Sequence, residues 1–129
     1  MPASPSRTIL CVEDEELQLH LRKVLFESAG YKVLLARSGE DALRVFENSG
    51  IDAVVMDYSM VGMDGVAVAE QMKNAKPAAV IIVLSGHNAA TGEESSAIDK
   101  WFQKADVEPE ELLQYLHEVL EARGRDASA

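Results

Sequence analysis

Five side chains stand at or just beyond apolar runs in this sequence, and their types already define a chemistry. Glu13 and Asp14 follow Thr8-Ile9-Leu10-Cys11-Val12, Asp57 closes the run Ala53-Val54-Val55-Met56, Ser85 follows Ala79 to Leu84, and Lys104 comes shortly after Trp101-Phe102. Three carboxylates drawn together would raise one another's pKa unless a cation compensates. Oxygen donors without histidine or thiolate select a hard ion, and Mg2+ is the usual one where carboxylates share it with a phosphate. Lys104 offers a fixed positive charge to a phosphoryl oxygen, and the Ser85 hydroxyl can donate to another. An aspartate can attack phosphorus to give an acyl phosphate, while a metal and a lysine neutralise the charge on the group in transfer. Asp57 is the candidate nucleophile, because it ends an apolar strand that would hold it rigidly. Such a transfer needs little beyond positioning and electrostatics.

These residues can meet only if the intervening chain returns each run to the same edge of one sheet. The runs Ile9 to Val12, Tyr31 to Leu35, Ala53 to Met56, Ala79 to Leu84 and the weaker Trp101-Phe102 lack in-out alternation, as expected of strands buried on both faces of a parallel sheet. Amphipathic stretches separate them. The first follows Asp14, carries Leu17, Leu21, Val24, Leu25 and Ser28 on the side expected to pack inward, and stops at Gly30, a favoured C-terminal residue. The second opens at Ser38, an N-cap with Asp41 three residues on, and presents Ala42, Leu43 and Phe46 before Gly50. A third runs from about Asp64 to Lys73, ahead of Pro77. The last opens at Pro109 and buries Leu112, Leu113, Leu116, Val119 and Leu120, leaving Glu110, Glu111, Glu118 and Glu121 in water. Alternating strand and helix implies a doubly wound α/β sandwich, in which ligands bind beyond the carboxyl ends of the strands.

Composition bounds the remaining possibilities. A chain of 129 residues, 47% of them hydrophobic, supports one core, taken to span residues 7–122 between flexible ends at 1–6 and 123–129. Its 22 acidic against 12 basic residues leave a net charge of -10, which disfavours direct binding to a phosphate backbone. Neither a signal peptide nor a membrane span is indicated, so a cytoplasmic location is expected. The single cysteine, Cys11, lies inside an apolar run and reads as core. His20 and His87 read as surface side chains, because no second histidine stands at metal-ligand spacing.

The ordered set Ile-Leu-Cys-Val-Glu13-Asp14-Glu, Ala-Val-Val-Met-Asp57-Tyr-Ser-Met-Val-Gly-Met-Asp-Gly, Ile-Ile-Val-Leu-Ser85-Gly86 and Trp101-Phe-Gln-Lys104 followed by Pro-Glu-Glu-Leu-Leu resembles the response-regulator receiver family of two-component signalling. The similarity covers about Thr8 to Glu121. It implies a five-stranded parallel sheet of order 2-1-3-4-5 in a flavodoxin-like three-layer sandwich. It also implies phosphorylation of Asp57 by a sensor histidine kinase or histidine phosphotransfer protein, with output through a downstream protein target, in a signalling phosphoacceptor that is not a turnover enzyme; the chain length reads as a free-standing domain. Asp14 would then contact Mg2+ directly, Glu13 would hold metal-bound water, and the Ser59 carbonyl would complete the metal set. Ser85 and Lys104 would bind phosphoryl oxygens, Ser85 and Trp101 would be the switch residues, and Ser59 and His87 would tune the lifetime of the phosphorylated form. The sequence departs from the family at Glu13, where Asp is commoner, at Val61 and Ala105, where proline is usual, and at Gly86, where alanine is more frequent.

Two further expectations concern surfaces. Residues 86 to 100 number 15 and contain one large apolar residue, Ile98, so the helix expected between the fourth and fifth strands is short, displaced or poorly ordered. The face of the first helix carrying Leu19, taken as opposite the packed stripe, is an alternative contact for a homodimer or a partner. Two other function classes use the same residues: a receiver-like interaction module acting without phosphate, and a metal-dependent phosphohydrolase. The intact set Asp14, Asp57, Ser85 and Lys104 argues against the first. The lack of a phosphate-cradling glycine loop argues against the second.

Overall fold

The computed structural model describes residues 7–58, 64–86 and 96–128, without the side chains of 124–128. Five strands, β1 (Thr8–Val12), β2 (Lys32–Ala36), β3 (Ala53–Asp57), β4 (Val80–Ser85) and β5 (Lys100–Gln103), form one parallel sheet in the order β2-β1-β3-β4-β5. Four helices are present among the described residues: α1 (Glu16–Ser28), α2 (Gly39–Asn48), α3 (Gly65–Ala75) and α4 (Pro109–Ser128). None is long and apolar enough to cross a membrane.

The three central strands are largely apolar because alternate residues feed two different cores. Leu10, Val12, Val54, Met56, Ile81 and Val83 pack with Ala42 and Phe46 of α2 and with Val68, Ala69 and Met72 of α3. Their neighbours Ile9, Cys11, Ala53, Val55, Ile82 and Leu84 pack with Leu19 and Phe26 of α1 and with Leu112, Leu116 and Leu120 of α4. Side chains alternate across a strand with a period of two, so each run serves both layers. Helix starts follow local chemistry: Ser38 accepts from the Asp41 N–H at 3.1 Å, and Asp64 from the Ala67 N–H at 3.2 Å. Gly30 ends the α1 turn with φ 97°, a conformation that favours glycine.

The structure reverses the expected face of α1. Leu17, Leu21 and Val24 are 65%, 52% and 50% exposed, Leu25 is half-buried, and the buried residues are Leu19, Arg22 and Phe26. Positions 17, 21 and 24 and positions 19, 22 and 26 are both helical stripes, turned roughly 170° apart at 3.6 residues per turn. Apolar spacing favoured the first, but the second carries an arginine that the interior needs. The expected boundary at residue 122 also differs from the end of the helix, since α4 continues through Gly124 to Ser128. Arg123 ties this part of α4 down, donating to the Ala78 carbonyl at 2.7 Å and to Asp99 at 3.1 Å. The expected short helix between β4 and β5 falls largely on residues 87–95, which lie outside the described residues, as do Ser59, Val61 and His87.

Candidate functional site

Strand parity decides which side chains face one another at the carboxyl edge of the sheet. Glu13 continues the alternation of Ile9 and Cys11, and Asp57 that of Ala53 and Val55, so both point to the layer built by α1 and α4. Both are nearly inaccessible, Glu13 at 1% and Asp57 at 3%. Asp14, one residue further on, is exposed, and ligand oxygens of Glu13, Asp14 and Asp57 lie within 4.8 Å of one another.

Lys104 follows β5 through a turn whose amide donates to the Ser85 carbonyl at 2.6 Å. Its ammonium donates to Asp57 Oδ2 at 2.9 Å and reaches Glu13 Oε1 at 3.5 Å. Ala105 in place of proline has therefore not displaced the lysine from the acids. Ser85 ends β4 and is buried, and the Tyr58 amide donates to the Leu84 carbonyl at 2.9 Å, tying the end of β3 to β4. Trp101 is half-buried and packs edge-on against Tyr58, with ring centroids 5.3 Å apart.

One participant was not foreseen. Arg22, on the buried stripe of α1, donates from Nη1 to Glu13 Oε1 at 2.8 Å, while Glu13 Oε2 accepts from the Glu15 amide at 3.2 Å. A signal for it was present, since an arginine spaced three and four residues from Leu19 and Phe26 shares their helix face.

The charges are strongly coupled. Burial, together with the hydrogen bond to and charge of Asp57, pushes the Glu13 carboxyl above its ordinary range, against the pull of the Glu15 amide and Arg22. Burial disfavours the Lys104 ammonium, but Asp57 and Glu13 outweigh it and raise its pKa. Cys11, on the same side of β1, is pushed up to about 12 by burial, against the nearby Arg22 charge, and is an inert core thiol. Carboxylate oxygens without nitrogen or sulfur ligands, whose crowding penalises their charged forms, fit a hard divalent cation. Beside them a cavity of about 360 Å3 opens between α1 and the start of α4, lined by Leu21, Arg22, Leu25, Lys104, Val107 and Leu112.

A doubly wound sheet of this order with an acidic carboxyl edge defines a class of α/β protein, and comparison narrows it. The sequence matches the response regulator receiver domain over residues 9–117, and the chain belongs to that family. The autoinducer 1 sensor kinase/phosphatase LuxN of Vibrio campbellii is 34% identical over 83 residues, which are 64% of this chain and 10% of that protein, so the chain spans only a small part of that relative's length. The response regulator TrrA of Thermotoga maritima, solved in complex with Mg(2+)-BeF, superposes with a TM-score of 0.80 at 31% identity, covering 88% of this chain and 98% of that one. A CheY-like receiver domain from Methanospirillum hungatei superposes with a TM-score of 0.85 over 95% of this chain and 99% of its own, at an identity of 24% that speaks for the fold alone.

Proposed function

We propose that this chain accepts a phosphoryl group on Asp57 from a phosphohistidine of a sensor kinase or phosphotransfer protein, and that the modification switches a protein-binding surface. The observation that carries this reading is the buried Asp57 carboxylate at the end of β3, 2.9 Å from the Lys104 ammonium and within 4.8 Å of the oxygens of Glu13 and Asp14. An Asp57 oxygen attacks phosphorus, the phosphorus–nitrogen bond of the donor breaks, and the leaving imidazole takes a proton, giving an acyl phosphate and a free histidine. Mg2+, held by Glu13, Asp14 and Asp57 with the Ser59 carbonyl, would supply charge neutralisation for the phosphoryl oxygens. Lys104 exchanges its contact with Asp57 for one with a phosphoryl oxygen, and the Ser85 hydroxyl donates to another. The TrrA complex with Mg(2+)-BeF supports this assignment by similarity.

Movement of Ser85 on phosphorylation would be felt by Trp101, whose strand pairs with β4 at Val83↔Trp101 and Ser85↔Gln103. His87 and Ser59, two residues beyond Ser85 and Asp57, are assigned to setting the lifetime of the acyl phosphate. The exposed stripe Leu17, Leu21 and Val24 on α1, next to the cavity that Leu21 also lines, is the face we assign to docking of a partner.

Incubation with a small phosphodonor and Mg2+ followed by intact-mass measurement tests the chemistry. One added phosphoryl group is expected, and Asp57→Asn should abolish it without unfolding the domain. Continuous donor turnover without a modified species would indicate a phosphohydrolase, and an unmodified chain would indicate a phosphate-independent module. Labelling that persists in the Asp57→Asn variant would overturn the assignment.

A further inference from the structure

The family chemistry needs the acids and Lys104, but it assigns nothing to the buried cation on α1. Arg22 is held on the inward stripe between Leu19 and Phe26, with its side chain only 10% exposed, and its nearest charge is Glu13 Oε1 at 2.8 Å. Lys104 approaches the same oxygen at 3.5 Å, and the other Glu13 oxygen accepts the Glu15 amide at 3.2 Å. Both oxygens of a carboxylate in the metal cluster are thus engaged within the protein. Glutamate's longer arm lets one carboxylate meet Arg22 on α1 while it stays within 4.8 Å of the oxygens of Asp14 and Asp57.

We propose that Arg22 is a resident counter-cation that competes with the divalent ion for Glu13. It acts as a positioning residue that lowers Mg2+ affinity and keeps the acid cluster stable when no ion is bound. Among the described residues, Glu13 pairs with Arg22 and Lys104, Asp57 pairs with Lys104, and Arg37 donates to the Asp14 backbone carbonyl at 3.0 Å. An arriving ion must either draw Glu13 away from Arg22 or bind beside a fixed positive charge, and both weaken binding. Without Arg22, Glu13 would be buried with only the more distant Lys104 as its counter-charge, and the metal-free fold would bear the cost. This inference rests on the phosphoacceptor reading only in taking the acids as the Mg2+ site.

Calorimetric Mg2+ titration of the parent chain, Arg22→Met and Arg22→Gln tests it, together with melting temperatures in EDTA and in saturating Mg2+. Met fills the space of the arginine stem, whereas Gln keeps a hydrogen-bond donor for Glu13 and removes the charge. Both variants are expected to bind Mg2+ about tenfold more tightly, since they remove a positive charge that pairs with a carboxylate of the metal cluster at 2.8 Å. Both should also lose more melting temperature in EDTA than in Mg2+. A purely structural arginine would lower both melting temperatures equally and leave affinity unchanged, and that result overturns the proposal. Weaker Mg2+ binding in the variants overturns it too, since Arg22 would then be preparing Glu13 for the metal. Variants that fail to fold even in saturating Mg2+ count equally against it. A parent chain that binds no Mg2+ would instead overturn the metal-site reading on which the proposal stands.

Discussion

At the scale of single residues, the carboxyl edge shows how one environment assigns opposite roles to neighbouring groups. Glu13 and Cys11 lie on the same side of β1, two residues apart, and burial raises the pKa of both. Glu13 stays engaged because Arg22 and Lys104 supply counter-charge, whereas the thiol simply remains neutral. For Cys11 the ordinary value is 9.0 and the folded value about 12, so between these pH values the native chain holds a proton that the unfolded chain has released. The native state then binds more protons, and this contribution to stability falls as pH rises through the window. A thiol-specific disulfide reagent at pH 8 is accordingly expected to leave native Cys11 unmodified and to react with it stoichiometrically after denaturation. Rapid labelling of the native chain would show that the β1 core is more open than its packing implies. Nothing in the composition of Ile-Leu-Cys-Val marks the thiol as more than apolar filling, and at this site that reading was sufficient.

Among the elements, α1 teaches most. Its two stripes are equally periodic, and the more hydrophobic one faces water. The choice is accounted for by what each stripe would meet. Leu19 and Phe26 enter the core beneath β1 and β3, and between them Arg22 reaches a buried carboxylate that no apolar residue could satisfy. Substitution separates the two faces cleanly. Leu19→Ala is expected to cost about 2–5 kcal/mol in denaturant unfolding, as for other buried leucines. Leu21→Ser should change stability by no more than about 0.5 kcal/mol, as at other exposed positions. If α1 also receives the partner, Leu21→Ser should slow phosphotransfer from a histidine donor while leaving labelling by a small phosphodonor intact. A large stability loss at Leu21 with none at Leu19 would restore the face that apolar spacing alone suggests. The helices α2 and α3 held no such ambiguity, because Ser38 and Asp64 cap them and each has one apolar stripe.

Across the whole molecule, the sheet is flanked by edge strands β2 and β5, while β1, β3 and β4 are paired on both sides and buried on both faces. Amides of β1, β3 and β4 are therefore expected to exchange hydrogen only on global unfolding, with β5 exchanging faster. Protection of β5 equal to that of β3 would show that its edge is covered. The site sits where these central strands end, so its acids are carried at the ends of strands paired on both sides. The sequence by itself determined the strands, the capped helices and the placing of Glu13, Asp14, Asp57, Ser85 and Lys104 at strand ends. Those features are local: a run of β-branched and aliphatic residues, a cap, or a glycine needs no distant partner to be recognised. Only the tertiary structure decided which face of α1 turns inward, that α4 continues to Ser128, and that Arg22 joins Glu13. Each of these goes with a contact between side chains of different parts of the fold, Arg22 with Glu13 and Arg123 with Asp99, where a charge on a helix is met by one outside it. Periodicity describes a single helix and carries no information about what lies across from it.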